Sequence, residues 1–398
     1  MRRRRIAIAY DCLFPISTGG GERLYRGYAE RLVRGGEDVE YLTARQWVDP
    51  LAPEAFGVVP VTGRLTLYDG SGVRRTSAAL RFALGLGWGL LRRRRRYAAV
   101  IVSGLPILNV FAARAALAGS GTTVVVDYLE VWGRRQWLEY AGVITGTIAW
   151  ALQRAALRIT PIATCHSDLT ARQLRAEGFR GTLRVSPGLI EDTSTAALRA
   201  VPADPPYVLY VGRHIPDKQV ETLPAAVAIA RRSIPDLRLV ILGEGPTTGL
   251  IRRAVAAADG ADWTDLPGFV DQDRLDELMA GAACLANPSR REGYGLVVVE
   301  SSAHGTPVVL VQDPGNAAVE LVSTGQNGFI APSAHPSDIA GALVQAVEGG
   351  SDLRRRARSW YEDAIRSRTL DATVAGIIEA IDAAHTRHRR PTDQQGNP

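Results

Sequence analysis

The sequence predicts an α/β protein built from two Rossmann-like, doubly wound domains in tandem that face a central cleft. Three observations carry that prediction. Strand-length apolar runs alternate with helix-length segments through both halves. The alternation stops at a Thr/Ser/Pro-rich stretch, residues 191–206, and restarts at Tyr207. A chain of 398 residues that is 46% hydrophobic has enough apolar material for two cores.

The N-terminal half opens on four arginines and the run Ile6-Ala7-Ile8-Ala9-Tyr10. Asp11 interrupts that run and no small-residue cleavage site follows, so it reads as a first strand and not as a signal peptide. A loop holding Gly19-Gly20-Gly21 then leads into a helix over about 22–33, with Leu24, Tyr28 and Leu32 on one buried face. Further strands are expected at 39–43, 97–102, 123–126, 159–163 and 183–185, with a helix over 107–117. Residues 80–91 form an apolar, glycine-containing stretch that ends in five arginines, Arg92 to Arg96. That block suits a helix whose last turn complements its dipole, or a surface that meets anionic lipid or an anionic acceptor. Residues 142–152 are too few to span a bilayer.

After the linker, strands are expected at 207–211, 237–242, 264–269, 283–286 and 307–311. The predicted organisation is therefore an N-terminal Rossmann-like domain over 1–190, a linker over 191–206 and a C-terminal Rossmann-like domain over 207–365. A C-terminal helix over 366–385 should pack back toward the N-terminal domain, ahead of a polar tail over 386–398.

Composition excludes a disulfide-stapled miniprotein, a collagen-like repeat and a wholly disordered chain. Cys12, Cys165 and Cys284 stand far apart, and no clustered His/Cys set suggests zinc. The expectation is a cytoplasmic protein, open to peripheral contact with an anionic membrane at its inner face. The 47 basic residues exceed the 41 acidic ones, yet no nucleic-acid-binding module accompanies them. Only one of the 47, Lys218, is lysine.

Three constellations carry chemistry. Ser17-Thr18-Gly19-Gly20-Gly21-Glu22 lies between a strand and a helix, where glycines admit a ligand to the backbone and a helix start offers N–H groups. It is not the G-x-G-x-x-G fingerprint of dinucleotide binding. Tyr210-Val211-Gly212-Arg213-His214-Ile215-Pro216-Asp217-Lys218 leaves a second strand and enters a helix. It places Arg213 and Lys218 where a doubly wound sheet binds its ligand, a pairing of fork and point charge suited to a diphosphate. In Arg291-Glu292-Gly293-Tyr294-Gly295-Leu296-Val297-Val298-Val299-Glu300, the glutamates are eight residues apart, about 12 Å if wholly helical. They suit two contacts along an extended ligand better than one shared proton. Asp271-Gln272-Asp273 superficially resembles a metal-binding D-x-D but falls at a helix start, where aspartates cap. No metal and no cofactor is expected.

The run from Glu292 to Glu300 resembles the E-G-F-G-L-x-x-x-E signature of retaining glycosyltransferases of family four, which have the GT-B fold. Gly212-Arg213 through Lys218 resembles their G-R-x-x-x-x-K-G element, and Leu239–Pro246, Leu266–Val270, Gly305–Val309 and Asn327–Ile330 recur in order. The resemblance runs through about 207–332 and is looser in the N-terminal half.

The resemblance implies a metal-independent hexosyl transfer from a nucleotide diphosphate sugar to an acceptor hydroxyl of a natural product or envelope glycoconjugate. Arg213 and Lys218 would hold the diphosphate, Glu292 the sugar hydroxyls, and Glu300 the ribose. Backbone N–H groups of Tyr294, Gly295, Leu296 and Val297 would surround sugar and phosphate, and backbone near Phe269 and Val270 would meet the base. Gly20 and Gly21 would close over the phosphates.

Departures from the pattern are Gln219 for the glycine after the lysine, Tyr294 for phenylalanine, and Leu129 where many members have a histidine. The missing group's role is either absent or supplied by Asp127, Glu130 or His166, candidates for a sugar or acceptor pocket. Two alternatives are a GT-B sugar-nucleotide epimerase or phosphorylase and a catalytically idle nucleotide-sugar-binding partner.

Overall fold

The computed structural model describes residues 3–17, 19–48, 51–67, 74–191 and 202–389. The chain divides into one unit of residues 1–69, 73–189 and 368–398, and another of 70–72 and 190–367. Residues 192–201 of the expected linker and 390–398 of the expected tail lie outside the described residues.

The first unit holds β1 (Arg5–Ala9), β2 (Asp38–Ala44), β3 (Gly57–Thr62), β4 (Ala99–Ser103), β5 (Thr123–Tyr128), β6 (Ile162–Cys165) and β7 (Thr182–Val185). They form one parallel sheet in the order β3-β2-β1-β4-β5-β6-β7. The chain winds outward from β1, returns beside it at β4 and winds outward again, which is the doubly wound pattern. The runs in β1 and β4 are buried almost throughout, as a parallel sheet covered on both faces requires. Among the described residues, six helices come from this part of the chain: α1 (Gly20–Arg34), α2 (Thr76–Arg93), α3 (Leu108–Ala116), α4 (Arg134–Ala141), α5 (Val143–Ile159) and α6 (Asp168–Ala176). Leu24, Tyr28 and Leu32 of α1 are buried together as their spacing predicts.

Two features differ from expectation. The strand placed at 159–163 begins only at Ile162, because Ile159 is the last residue of α5 and Pro161 follows it. Thr160 closes that helix by donating from Oγ1 to Ala156 O at 2.9 Å. The strand β3 was not expected at all; it lies at the sheet edge, carries Pro60 and is only half-buried, so it lacks the apolar signature.

In the second unit the strands are β8 (Tyr207–Val211), β9 (Arg238–Leu242), β10 (Thr264–Gly268), β11 (Cys284–Asn287), β12 (Arg291–Glu292), β13 (Val308–Val311), β14 (Gly315–Asn316) and β15 (Gly328–Ala331). Six form a parallel sheet in the order β10-β9-β8-β11-β13-β15, and β12 pairs with β14 separately. The winding reverses between β8 and β11. The helices are α7 (Leu223–Ala230), α8 (Thr248–Ala257), α9 (Gln272–Gly281), α10 (Leu296–Ala303), α11 (Pro336–Glu348) and α12 (Gly350–Ala364). Asp271 caps α9, its side chain accepting from Arg274 N at 2.8 Å, so the D-x-D-like run is a helix cap.

The last helix, α13 (Leu370–Arg389), belongs to the first unit and extends past the end expected at 385. It is held there by Arg31 Nε donating to Asp371 Oδ2 at 2.9 Å and by Thr373 Oγ1 donating to Gly188 O. The three cysteines are buried and form no disulfide, and burial pushes the Cys12 thiol up to about 12. No described helix is long and apolar enough to cross a membrane.

Candidate functional site

In the second unit the point where strand order reverses lies between β8 and β11, and the polar motif residues collect at the carboxyl ends of those two strands. The chain leaving β8 is stitched to its neighbours through the backbone. His214 N donates to Glu244 O at 3.0 Å, Thr247 N to His214 O at 3.1 Å, and Gly243 N to Gly268 O at 2.8 Å. Three strand-end loops are thereby fastened together, with exposed Phe269 and half-buried Val270 at the far side. Gly243 makes this possible: its φ is +104° and a Cβ there would lie 2.0 Å from Gly212 O.

Lys218 does not enter an α-helix as expected. It ends a 3₁₀ turn, Pro216–Lys218, and Gln219 after it is left-handed at φ +49°. The turn explains why glycine is the natural residue at 219: a side chain is strained in that backbone. It also aims the lysine, whose Nζ donates to Glu292 Oε1 at 2.5 Å.

Glu292 is fixed from three sides. It pairs in β12 with Asn316 of β14, and Asn287 Nδ2, at the end of β11, donates to the same Oε1 at 2.9 Å. Its neighbour Arg291 donates from Nη2 to Asp217 Oδ1 at 2.7 Å, and Arg290 N donates to Asp217 O at 2.9 Å, so the lysine turn and the glutamate strand are braced together. Burial opposes ionisation of Glu292, but the charge of Lys218 and hydrogen bonds from Lys218, Asn287 and Ser289 outweigh it and hold the carboxyl below the usual range.

The segment from Gly293 to Gly295 turns the chain into α10. Gly295 is left-handed at φ +99°, and a Cβ there would meet Ala318 Cβ at 2.5 Å, so only glycine fits. Leu296 and Val297 form the first turn of α10, where N–H groups lack intrahelical acceptors. Tyr294 is buried beside them, and Glu300 is half-buried one turn further on. Arg213 is exposed at the end of β8.

Sequence reasoning passed over Asn287 and Asp217 as site residues. Their signal was position: a polar residue ending an apolar strand beside a proline, and an aspartate next to the lysine. His214 was quoted only as part of the run; buried, with Nδ1 2.8 Å from Thr248 Oγ1, it holds two loops together, and burial lowers its pKa.

The N-terminal candidates are arranged differently. Asp127, at the end of β5, is fully buried and accepts from Thr164 Oγ1, while His166 Nε2 lies 3.1 Å from its Oδ1. The other ring nitrogen of His166 lies 2.9 Å from Ser186 Oγ. Glu130 is partly exposed and accepts from Trp132 Nε1 at 2.8 Å. Thus Asp127 and His166 come together, but inside the unit, and Glu130 stands apart from that pair. Gly20 begins α1, and Gly21 abuts Tyr10: a Cβ there would lie 2.8 Å from Tyr10 Oη and 3.3 Å from Leu129 Cδ1. Among the described residues no group of three or more His, Cys, Asp or Glu could hold a metal ion.

The second unit thus carries a lysine–carboxylate pair at the switch point of a doubly wound sheet, beside glycine-spaced backbone. Residues 196–363 match the family Glycosyl transferases group 1. Both units share the GT-B fold of sucrose-phosphate synthase from Thermosynechococcus elongatus, at TM-score 0.78 and 18% identity, covering 97% of this chain and 100% of that one. Among curated proteins, the chain is 28% identical to an alpha-D-kanosaminyltransferase of Streptomyces kanamyceticus, over 54% of this chain and 58% of the relative. It is 32% identical to a D-inositol 3-phosphate glycosyltransferase of a Nocardioides species, over 44% and 41%. The chain thus spans about half the length of the curated relatives it matches.

Proposed function

We propose that the chain is a retaining glycosyltransferase that moves a hexosyl group from a nucleotide diphosphate sugar to an acceptor hydroxyl, on a natural product or an envelope glycoconjugate. The observation that carries this reading is the Lys218–Glu292 pair at the switch point of the parallel sheet. The two relatives, named as a kanosaminyltransferase and a D-inositol 3-phosphate glycosyltransferase, support the class of reaction.

Without ligand, lysine and glutamate neutralise one another, which avoids leaving either charge uncompensated in a half-desolvated site. A diphosphate arriving there offers Lys218 a stronger anionic partner, with exposed Arg213 as a second cation, and frees Glu292 to accept from sugar hydroxyls. The bond from the anomeric carbon to the diphosphate oxygen breaks, and the acceptor oxygen bonds to that carbon on the same face. The departing phosphate oxygen takes the acceptor's proton. Lys218 and Arg213 stabilise the charge that grows on the diphosphate, and backbone N–H groups at Leu296 and Val297 add to it without a metal. Glu300 holds the ribose, and backbone near Phe269 and Val270 meets the base. On the first unit, partly exposed Glu130 is the candidate for an acceptor or sugar contact and Gly20 and Gly21 for the phosphates, whereas Asp127 and His166 are buried against each other.

A mass-spectrometric screen of UDP-, GDP- and dTDP-sugars against a mixed acceptor panel tests the reading. A product heavier than its acceptor by one hexosyl residue should appear with the native chain and be lost in Glu292→Ala. Nucleotide release that does not depend on acceptor would favour the epimerase or phosphorylase alternative. Equal product from native and variant chains would remove Glu292 from the site.

A further inference from the structure

We propose that the outer face of α2 and α5 is a docking surface for an anionic lipid bilayer. Fourteen large hydrophobic side chains are exposed among the described residues, and nine of them stand on these two helices. On α2 they are Leu80, Leu84, Trp88 and Leu91, spaced four, four and three residues apart, which is one stripe of a helix. Leu84 is 65% exposed and Trp88 60%. On α5 they are Val143, Ile144, Ile148, Leu152 and Ile159, with Ile144 78% exposed. The two helices flank α3 on one side of the N-terminal sheet. Phe82, Leu86 and Leu90 of α2, Val110 and Ala113 of α3, and Ala156 and Leu157 of α5 share one core.

The stripe on α2 is not a packing face left over from folding. The helix rests on β3 through Gly85, where a Cβ would lie 2.4 Å from Val61 O, and on α3 through Gly87, 3.5 Å from Ala112 Cβ. Small residues and the buried Phe82-Leu86-Leu90 row make the internal contacts, so the large side chains on the other side are surplus to the fold.

Charge selects the occupant. The sequence has no Asp or Glu from residue 70 to 126 or from 140 to 167, and these spans contain α2, α3 and α5 whole. Nine arginines fall in the first span and Arg154 and Arg158 in the second. Arg81 and Arg95 are exposed and make no ion pair among the described residues, and Arg92 lies over the Trp88 ring at 5.4 Å. The acids that approach from other elements are engaged: Glu40 with Arg5 and Arg96, Glu177 with Trp150.

Exposed Leu, Ile and Trp side chains ringed by arginine, with no carboxylate among them, match the headgroup–acyl boundary of an anionic bilayer. A second copy fits poorly, because a two-fold contact would set this arginine-rich face against itself. The proposal stands apart from the transferase reading, which rests on the other unit.

Co-flotation of the full chain with vesicles tests it. The chain should float with vesicles of equal phosphatidylcholine and phosphatidylglycerol, not with pure phosphatidylcholine, and salt should weaken the association. Leu84→Ser combined with Trp88→Ser, and separately Arg92→Glu combined with Arg95→Glu, should each weaken partition by at least about tenfold. The four positions are on the surface, so thermal melting should be unchanged. Equal binding to both vesicle types, no flotation, or flotation unaffected by either double variant would overturn the proposal. So would a dimer in solution that the Leu84→Ser/Trp88→Ser variant dissolves.

Discussion

Two acid–base pairs sit at strand ends of the two units, and their settings are opposite. Lys218 and Glu292 retain side-chain exposures of 21% and 15%, so a ligand can reach and separate them. Asp127 and His166 are at 0% and 1%, and Thr164 and Ser186 take up their remaining polar atoms. Both pairs lie near the carboxyl ends of parallel strands, yet one is left open to an approaching molecule and the other ties β5 and β6 together from inside. The lesson is that a polar residue at a strand end becomes a site only where the loops leave it open.

Replacing either member of the open pair should have the largest effect. Glu292→Ala and Lys218→Ala should each lower kcat/KM for the donor by about 10²–10³-fold, as loss of a charge-stabilising contact does. Lys218→Arg should not restore activity, since a planar fork does not replace a point charge in this turn. Because Glu292 is held below its unfolded pKa, its contribution to stability is present above pH about 4.3 and is lost as pH falls below that. Lys218→Ala removes the main cause of that depression. The acid limb of both activity and stability should then move to higher pH, as pH–rate profiles and melts in parallel would record.

Gly243→Ala should come next. It forces a Cβ to within 2.0 Å of Gly212 O at a left-handed φ, which should cost about 2–3 kcal/mol and loosen the lysine turn. Thermal melting and nucleotide binding should both decline. His166→Ala should lower stability by about 1–2 kcal/mol by leaving buried Asp127 with Thr164 as its remaining donor, while nucleotide binding to the other unit stays as it was. A loss of donor binding without a loss of stability would erase the contrast between the pairs. Smallest is Gln219→Gly, which should raise stability by about 1 kcal/mol by relieving a left-handed non-glycine residue, visible as a higher melting temperature.

Much of this was legible beforehand, for a physical reason. In the second unit β8, β9, β11 and β13 are short, largely apolar and flanked by glycine or proline, so Tyr207–Val211 and these neighbours could be read nearly to the residue, whereas β12, β14 and β15 were not read as strands. The Lys218 and Glu292 motifs follow strands at the one place a doubly wound sheet leaves open. What stayed hidden depended on contacts across the chain. Nothing local says that Lys218 and Glu292, 74 residues apart, share a hydrogen bond, or that Asp217 braces both arginines beside the glutamate. The strand β3 escaped because a half-exposed edge strand with a proline looks like a loop. Asp127 and His166 could be nominated from sequence, but their burial against each other follows from the pairing of β5 with β6.

The central claim is that Lys218 and Glu292 hold the diphosphate and sugar of a nucleotide donor. Calorimetric titration of UDP, GDP and dTDP into the native chain, Lys218→Ala and Glu292→Ala tests it most directly. One nucleotide should bind the native chain, bind Lys218→Ala at least about tenfold more weakly, and bind Glu292→Ala nearly as well, since that carboxylate faces the sugar. Binding of all three nucleotides unaltered by Lys218→Ala, or of none to the native chain, would contradict the account.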